Sequence, residues 1–284
     1  MSQAAVTSAE PASVTIIRPS RGWSAINLRE LWRYRELVYF LTWRDVKVRY
    51  KQTLLGAAWA ILKPFLTMVV FAVVFGGLAK IPTDGTAAPV FYYAGLLPWV
   101  LFQDGVTKAG NSLVAGSHLI TKIYFPRLAI PLSAVAAGVV DFALAFLVLL
   151  ALMAFYSVPP GPAIWSLPLF ILLALVTALG AGLWLAALNV AYRDVGYVMP
   201  FIVNAWLYAS PVAYSATLLP EGTWRLVYGL NPMAGVVQGF RWGMLGVGQP
   251  APGLLISSTV VSLLLLVSGV LYFRRMERTF ADVV

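Results

Sequence analysis

The sequence predicts an all-α integral membrane protein: six transmembrane helices, amphipathic interface helices ahead of them, and a re-entrant helix pair between the fifth and sixth spans. Three observations predict this. The 284 residues are 60% hydrophobic and only 11% charged, against about a quarter charged in a soluble domain, and the mean hydropathy is +0.82. Six apolar stretches approach the ~20 residues a crossing helix needs. The basic residues alternate between the gaps. The segment before and into the first stretch holds ten of them, from Arg18 to Lys63; Lys108, Lys122, Arg127 and Arg193 lie in or beside the second and fourth gaps; Arg274, Arg275 and Arg278 close the chain. Lys80, Arg225 and Arg241 are left for the other side. Lys and Arg beside spans are retained in the cytoplasm, so both termini are placed inside. The net charge of +9 therefore reads as membrane orientation. Nucleic-acid binding needs the cations on one soluble face, which this distribution does not provide.

Residues 1–26 are rich in Ser, Ala, Thr and Pro and are expected to be a disordered tail. No apolar run of signal-peptide length occurs in the first 53 residues, so no cleavage is expected. Over 27–55 the pattern becomes helical. Leu28, Leu31, Trp32, Leu37, Val38 and Leu41 recur near helical spacing, and Arg44, Lys47 and Lys51 fall at i, i+3, i+7. This predicts interface helices with Trp32, Tyr34, Tyr39 and Trp43 at headgroup depth and the cations against lipid phosphate. A generic basic juxtamembrane segment has the same composition.

The spans are placed at about 59–79, 90–112, 128–156, 165–189, 197–219 and 254–273. Lys63 is expected to snorkel to the inner surface. The third span holds one acid, Asp141, and the fifth is interrupted by Pro200 and Pro211. An intramembrane acid is by default a functional-site hypothesis. The alternative, favoured because a single acid makes a poor proton relay, is a structural partner for a hydroxyl, an amide or a Lys such as Lys108. The second span is strongly apolar only over 90–102. Beyond that Gln103, Thr107 and Asn111 lie at i, i+4, i+8, and Asp104 and Lys108 form an i, i+4 pair. Such a stripe belongs either to a polar passage or to polar helix–helix packing.

Between the last two spans, 220–250 is too apolar for an outside loop, and its pieces are too short to cross. Two short helices that dip into the outer leaflet and return fit it, because irregular backbone at that depth must be covered by protein or water. The loop 113–126 has Ser117 as a helix cap, Pro126 as a stop, and an apolar face of Leu119, Ile120, Ile123, Tyr124 and Phe125. A partly apolar cytoplasmic helix suits docking into a partner's groove; it equally suits burial against the chain's own N-terminal segment.

Catalytic chemistry is nearly absent. One His, His118, and no Cys remove thiol nucleophiles, disulfides and Cys-based zinc sites. No G-x-x-x-x-G-K-[ST], H-E-x-x-H or G-x-S-x-G occurs. No metal site and no cofactor are expected on this chain.

Several short motifs carry a family likeness. The run 44–56, Arg-Asp-Val-Lys-Val-Arg-Tyr-Lys-Gln-Thr-Leu-Leu-Gly, followed by Trp59 and Pro64, resembles the entry to the first span in permeases of type 2 ABC exporters, most closely the branch that exports O-antigen, capsule and teichoic acid. Lys122-Ile123-Tyr124-Phe125-Pro126 resembles the coupling-helix loop of that family. Tyr192-Arg193-Asp194-Val195, Ser210-Pro211-Val212-Ala213-Tyr214, Asn231-Pro232-Met233 with Arg241, and the tail from Arg274 to Asp282 resemble its later landmarks. The likeness covers about residues 28–284, and its motifs occur in the family's order.

The resemblance implies a homodimer with a shared pore, joined by two copies of a separately encoded ATPase that binds ATP and Mg. It implies that Leu119, Ile120, Lys122, Ile123, Tyr124, Phe125 and Pro126 couple to that ATPase. The substrate implied is a glycan on a polyprenyl diphosphate, carried across a bacterial cytoplasmic membrane. Arg44, Lys47, Arg49 and Lys51 could gather its diphosphate or simply contact membrane lipid. Sugars slide on aromatic faces, which makes Phe91, Tyr92, Trp99, Phe102, Tyr208 and Tyr214 channel-lining candidates with Gln103, Thr107 and Asn111; interfacial belts use the same residues. Asn231, Pro232 and Arg241 are outer-gate candidates. Other readings are an ABC permease for a drug or a simple lipid and, from another class, a membrane-embedded glycosyltransferase, which would need poised acids and a soluble loop.

Overall fold

The computed structural model describes residues 28–51, 56–120, 125–215, 218, 223–277 and 280; among them all regular structure is helical. α1 (Leu28–Arg33) and α2 (Arg35–Lys51) come first. α2 buries only Leu41 and Val46 and leaves Tyr39, Phe40 and Trp43 exposed. α3 (Gly56–Phe71) runs on into a π-helical turn, Ala72–Leu78. There Ala79 N–H reaches back to the Val74 carbonyl at 2.8 Å and Ile81 N–H to the Phe75 carbonyl at 2.8 Å.

Among the described residues, four helical stretches have both the length and the apolarity to cross a membrane: Ala58–Leu78, Ala129–Phe155, Ile164–Ala191 and Pro252–Met276. They contain α3 with its π turn, α6 (Ala129–Phe155), α7 (Leu167–Ala191) and α11 (Pro252–Met276). α4 (Ala88–Ala115) has the length, 28 residues, but its second half carries Gln103, Asp104, Thr107, Lys108 and Asn111. α5 (Ser117–Ile120) is a single turn after it.

The fifth predicted span, 197–219, departs most from expectation. α8 (Val195–Tyr208) stops after 14 residues, about 21 Å at ~1.5 Å per residue, against a hydrocarbon core of ~30 Å. The reason is local. Pro211 has no N–H and disfavours helical geometry in the residue before it, so the chain turns at Ala209 and Ser210. Two short helices follow, α9 (Thr223–Tyr228) and α10 (Pro232–Leu245). Asn231 caps α10 by accepting from Met233 N–H at 3.1 Å, and Pro232 occupies the first turn, where no donor is needed. α10 is buried nearly all round, with Met233, Val236, Val237, Phe240 and Met244 at 0% exposure. A helix so buried must have its polar side chains bonded, and Gln238 donates to the Gly248 carbonyl at 2.8 Å.

α4 is the central post, packed by α3, α6, α7 and α10. α7 and α11 pair through small residues: a Cβ at Gly269 would lie 2.4 Å from the Gly180 carbonyl oxygen, so only glycine lets the backbones approach this closely. Polar bonds hold the same seam, Thr177 Oγ1 to Ser262 Oγ at 2.8 Å and Trp184 Nε1 to Ser268 Oγ at 3.1 Å, with Trp184 stacked on Tyr272 at 4.1 Å. One end of the bundle, here the terminal end, gathers Leu41 of α2, Leu113 of α4, Phe125, Leu128, and Phe273 and Phe280 into one buried cluster. The far end holds the start of α4, the turn after α8, and α9–α10.

Candidate functional site

Between α2, α3, α4 and α6 lies a cleft of about 450 Å³. Its walls are apolar, including Trp59, Leu97, Leu101, Phe142 and Ala145, and its charges are Arg49, Lys63, Asp104, Lys108 and Asp141. These partly buried charges pair with one another. Asp141 accepts from Arg49 and from the Tyr50 hydroxyl on α2, and from Lys108 Nζ at 3.0 Å. Asp104 accepts from Lys63 Nζ at 3.1 Å and lies 3.5 Å from Lys108 Nζ. One ionic chain thus ties α2, α6, α4 and α3. Burial, then the bond to Asp141 and its negative charge, hold the Tyr50 phenol protonated well above its ordinary range.

The basic residues of α2 therefore divide. Arg49 turns into the cleft, Arg44 pairs with neighbouring Asp45 at 2.8 Å, and Lys47 and Lys51 stay exposed. Lys63 keeps its side chain 53% exposed and points its ammonium at Asp104. Asp141 has the Lys108 partner that the structural reading anticipated, together with two donors from α2.

The polar stripe of α4 continues from this cleft. Gln103 Nε2 donates to Asn204 Oδ1 of α8 at 2.9 Å and accepts from Trp99 Nε1 at 3.2 Å. Thr107 donates back to the Gln103 carbonyl at 2.8 Å. Asn111 donates to the Thr107 carbonyl at 2.9 Å and accepts from Asn189 of α7 at 3.1 Å. The stripe thus makes helix-to-helix bonds while Gln103, Thr107 and Asn111 stay half-buried. Asn189 and Asn204, its partners, were not among the expected site residues; their signal in the sequence was an amide within an otherwise apolar helix.

The aromatic candidates divide as well. Phe91, Tyr92, Trp99 and Phe102 are at 0% exposure inside the protomer. Tyr92 meets Phe71 and Phe91 edge-on at 6.2 and 5.5 Å, and Phe102 meets Trp206 of α8 at 5.0 Å. All four pack helices together. Tyr208 is exposed, and Tyr214 is half-buried with its hydroxyl 2.6 Å from that of Tyr228.

At the far end Asn231 and Arg241 join α8 to α10. Asn231 Nδ2 donates to the Ala209 carbonyl and to Ser210 Oγ, both at 2.9 Å, and its Oδ1 accepts from Trp206 Nε1 at 2.9 Å. Arg241 is 1% exposed and donates to the carbonyls of Pro211 and Val212, each at 3.1 Å, and of Tyr214 at 3.4 Å. Its guanidinium lies 3.8 Å from the Phe91 ring centroid. The carbonyl of Ala209, the C-cap of α8, and those of the irregular stretch that follows are thus satisfied by side chains of α10 and its cap. Pro232 is buried in the first turn of α10.

At the terminal end, Lys122, Ile123 and Tyr124 lie outside the described residues. Ile120 closes α5, Leu119 packs partly on the buried cluster, and Pro126 starts α6 by accepting from Ala129 N–H at 2.9 Å. Phe125 is buried among residues that include Leu41 of α2, facing the chain's own interior. Among the described residues, no group of three or more His, Asp or Glu could hold a metal ion.

The model of the ABC-2 type transporter family matches residues 36–245. The chain belongs to the ABC-2 type transporter family. The likeness read from its motifs is borne out at that level. The O-antigen export system permease protein RfbA of Myxococcus xanthus is 30% identical over 258 residues, covering 90% of this chain and 98% of that protein. A Klebsiella pneumoniae protein of the same name is 27% identical, covering 72% of this chain and 79% of its own length. The polysialic acid transport protein KpsM of Escherichia coli is 21% identical, covering 69% of this chain and 76% of its own. With four apolar helices of spanning length, this ABC-2 chain is a multi-pass inner-membrane transport protein.

Proposed function

We propose that this chain is the permease subunit of an ATP-driven exporter that moves a lipid-linked polysaccharide from the cytoplasmic to the outer face of the membrane. The observation that carries the reading is the Myxococcus relative named for O-antigen export, which aligns along nearly its whole length. The positive-inside pattern supports placing the terminal end in the cytoplasm. In this arrangement α4 and α8 complete six crossings, the turn after α8 finishing the fifth, and α9–α10 re-enter from outside as a plug. The absence of a phosphate-cradling Gly-rich loop in the sequence supports a motor on another chain. In a dimer with two copies of that ATPase, each chain meets one copy through Leu119, Ile120, Lys122, Ile123, Tyr124 and Pro126, while buried Phe125 anchors the loop from inside.

The glycan path runs between two copies of the chain. The exposed faces of α3 and α8, with Tyr208 and the half-buried edge of Gln103, Thr107 and Asn111, line it. Phe91, Tyr92, Trp99 and Phe102 stand behind that lining and hold it in place. Exposed Lys47 and Lys51, with Arg49 in the cleft, gather the lipid diphosphate at the inner side. Asn231, Pro232 and Arg241 hold the outer closure. The test is depletion of the chain in its native cell. Lipid-linked glycan should accumulate on the cytoplasmic face while surface glycan falls; unchanged surface glycan after complete depletion would overturn the reading.

A further inference from the structure

The ionic chain in the cleft has an internal division of labour. Lys108 bridges both acids, at 3.0 Å to Asp141 and 3.5 Å to Asp104, and sits with them on the packed α4–α6 body. Arg49 and Lys63 come from outside that body, on α2 and α3, and each meets one of the same acids. Two inter-body ion pairs therefore fasten α2 to α6 and α3 to α4, and one Lys would remain between the two acids if both were released. The cleft carries three cations and two carboxylates, and the side chains keep 14–53% exposure, so an entering anion can reach them.

We infer that Asp104 and Asp141 are resident anions of a latch, and that a diphosphate-headed lipid opens it by taking Arg49 and Lys63 from them. This rests on the reading of the substrate as a polyprenyl diphosphate. The diphosphate charge is met in full. A diphosphate diester carries two negative charges, which meet Arg49 and Lys63, while Lys108 stays with the two acids. The apolar walls, Trp59, Leu97, Leu101 and Phe142, suit the first isoprene units beside the headgroup. Tyr50 leaves Asp141 together with Arg49, because both sit on α2. The empty protein is thereby held closed by its own carboxylates, and the correct headgroup frees α2 and α3 to move.

The latch makes a prediction that an ordinary structural ion pair does not: the two sides of the pairs affect ligand binding with opposite signs. The test uses the full chain in nanodiscs of neutral lipid, titrated with polyprenyl diphosphate, polyprenyl monophosphate and phosphatidylglycerol. Asp104→Asn with Asp141→Asn should bind polyprenyl diphosphate about tenfold more tightly, because the competing carboxylates are gone. Arg49→Gln with Lys63→Gln should bind it about tenfold more weakly. Weaker binding in both would overturn the latch, and equal binding of phosphatidylglycerol would overturn the diphosphate as its key. Should the double variants fail to insert, Val48→Cys with Ala145→Cys in this Cys-free chain reports the same event. Both residues line the cleft, on α2 and α6, and their cross-linking should fall several-fold with polyprenyl diphosphate. Cross-linking unchanged by saturating lipid would contradict the proposal. No ATPase or glycan enters these measurements, so they stand apart from the export test: a chain that exports glycan but shows same-sign binding effects sinks the latch alone.

Discussion

Arg241 is 1% exposed, and a guanidinium that far from water needs hydrogen-bond acceptors supplied by the protein. Its two Nη groups are used on the Pro211, Val212 and Tyr214 carbonyls of the irregular stretch after α8, and its face lies on the Phe91 ring, which makes one side chain the fastening of α10 to that stretch and to α4. Arg241→Ala should lower stability by roughly 3 kcal/mol or more, since it strands the Pro211 and Val212 carbonyls as well as removing the bonds. Thermal unfolding in detergent reads this. Arg241→Lys should fall between, because an ammonium keeps the charge but offers its donors from one nitrogen and cannot reproduce the planar two-nitrogen fork. Gly95→Ala should mimic the loss, since its Cβ would lie 2.2 Å from the Arg241 guanidinium. An unchanged unfolding midpoint in Arg241→Ala would contradict this role. Arg241 was legible as a cation out of place in an apolar segment. Its partners were not, because backbone carbonyls carry no residue identity. Arg49 shows the converse limit. It shares its composition with Arg44, Lys47 and Lys51, and only the packing of α2 on α6 brings it to Asp141.

At the scale of elements, sequence pattern was most informative where the physics is local. The four apolar stretches of spanning length are helices because a long run of Leu, Val, Ala and Phe satisfies its own backbone and needs no partner to be read. The end of α8 was half-visible: Pro211 announces a stop, yet the C-cap carbonyl of Ala209 is bonded by Asn231, more than twenty residues on. The stripe on α4 was legible as polar, but its use as helix–helix bonding required knowing that Asn189 and Asn204 lie opposite. Least legible was the C-terminal segment. Phe280 is fully buried against Phe273 at 5.3 Å, with the Arg127 guanidinium 6.0 Å from its ring. Arg127 also donates through its guanidinium to the Glu277 carbonyl at 2.6 Å and through its backbone N–H to Glu277 Oε1 at 3.3 Å. The chain end thus clamps the residues that follow the proposed ATPase-docking loop. Phe280→Ala should leave the protein inserted and basal ATP hydrolysis by the complex intact, while substrate-stimulated hydrolysis falls about tenfold, as expected if loop position and not mere folding is lost. Full stimulation in a Phe280→Ala complex would show that the clamp does not set the loop.

At the scale of the molecule, the charges lie in two tiers. Exposed Lys47 and Lys51 lie near the terminal end, and a paired ionic chain lies deeper in the cleft, below a far end whose main cation, Arg241, is locked onto backbone. Such a chain can attract an anion, hand it inward and keep the opposite end shut. The exposed apolar faces of α3 and α8 are wide: Leu66, Val70, Val73, Tyr197, Phe201 and Tyr208 all lie on the surface of the single chain. In the proposed exporter they are covered by lipid and by a second copy. The measurement that tests the central claim most directly is isolation of the tagged chain from its native membranes in mild detergent, with mass spectrometry of everything retained. The account predicts a P-loop ATPase in one-to-one ratio and a polyprenyl-diphosphate glycan. A pure chain carrying neither, from membranes that contain both, would contradict it.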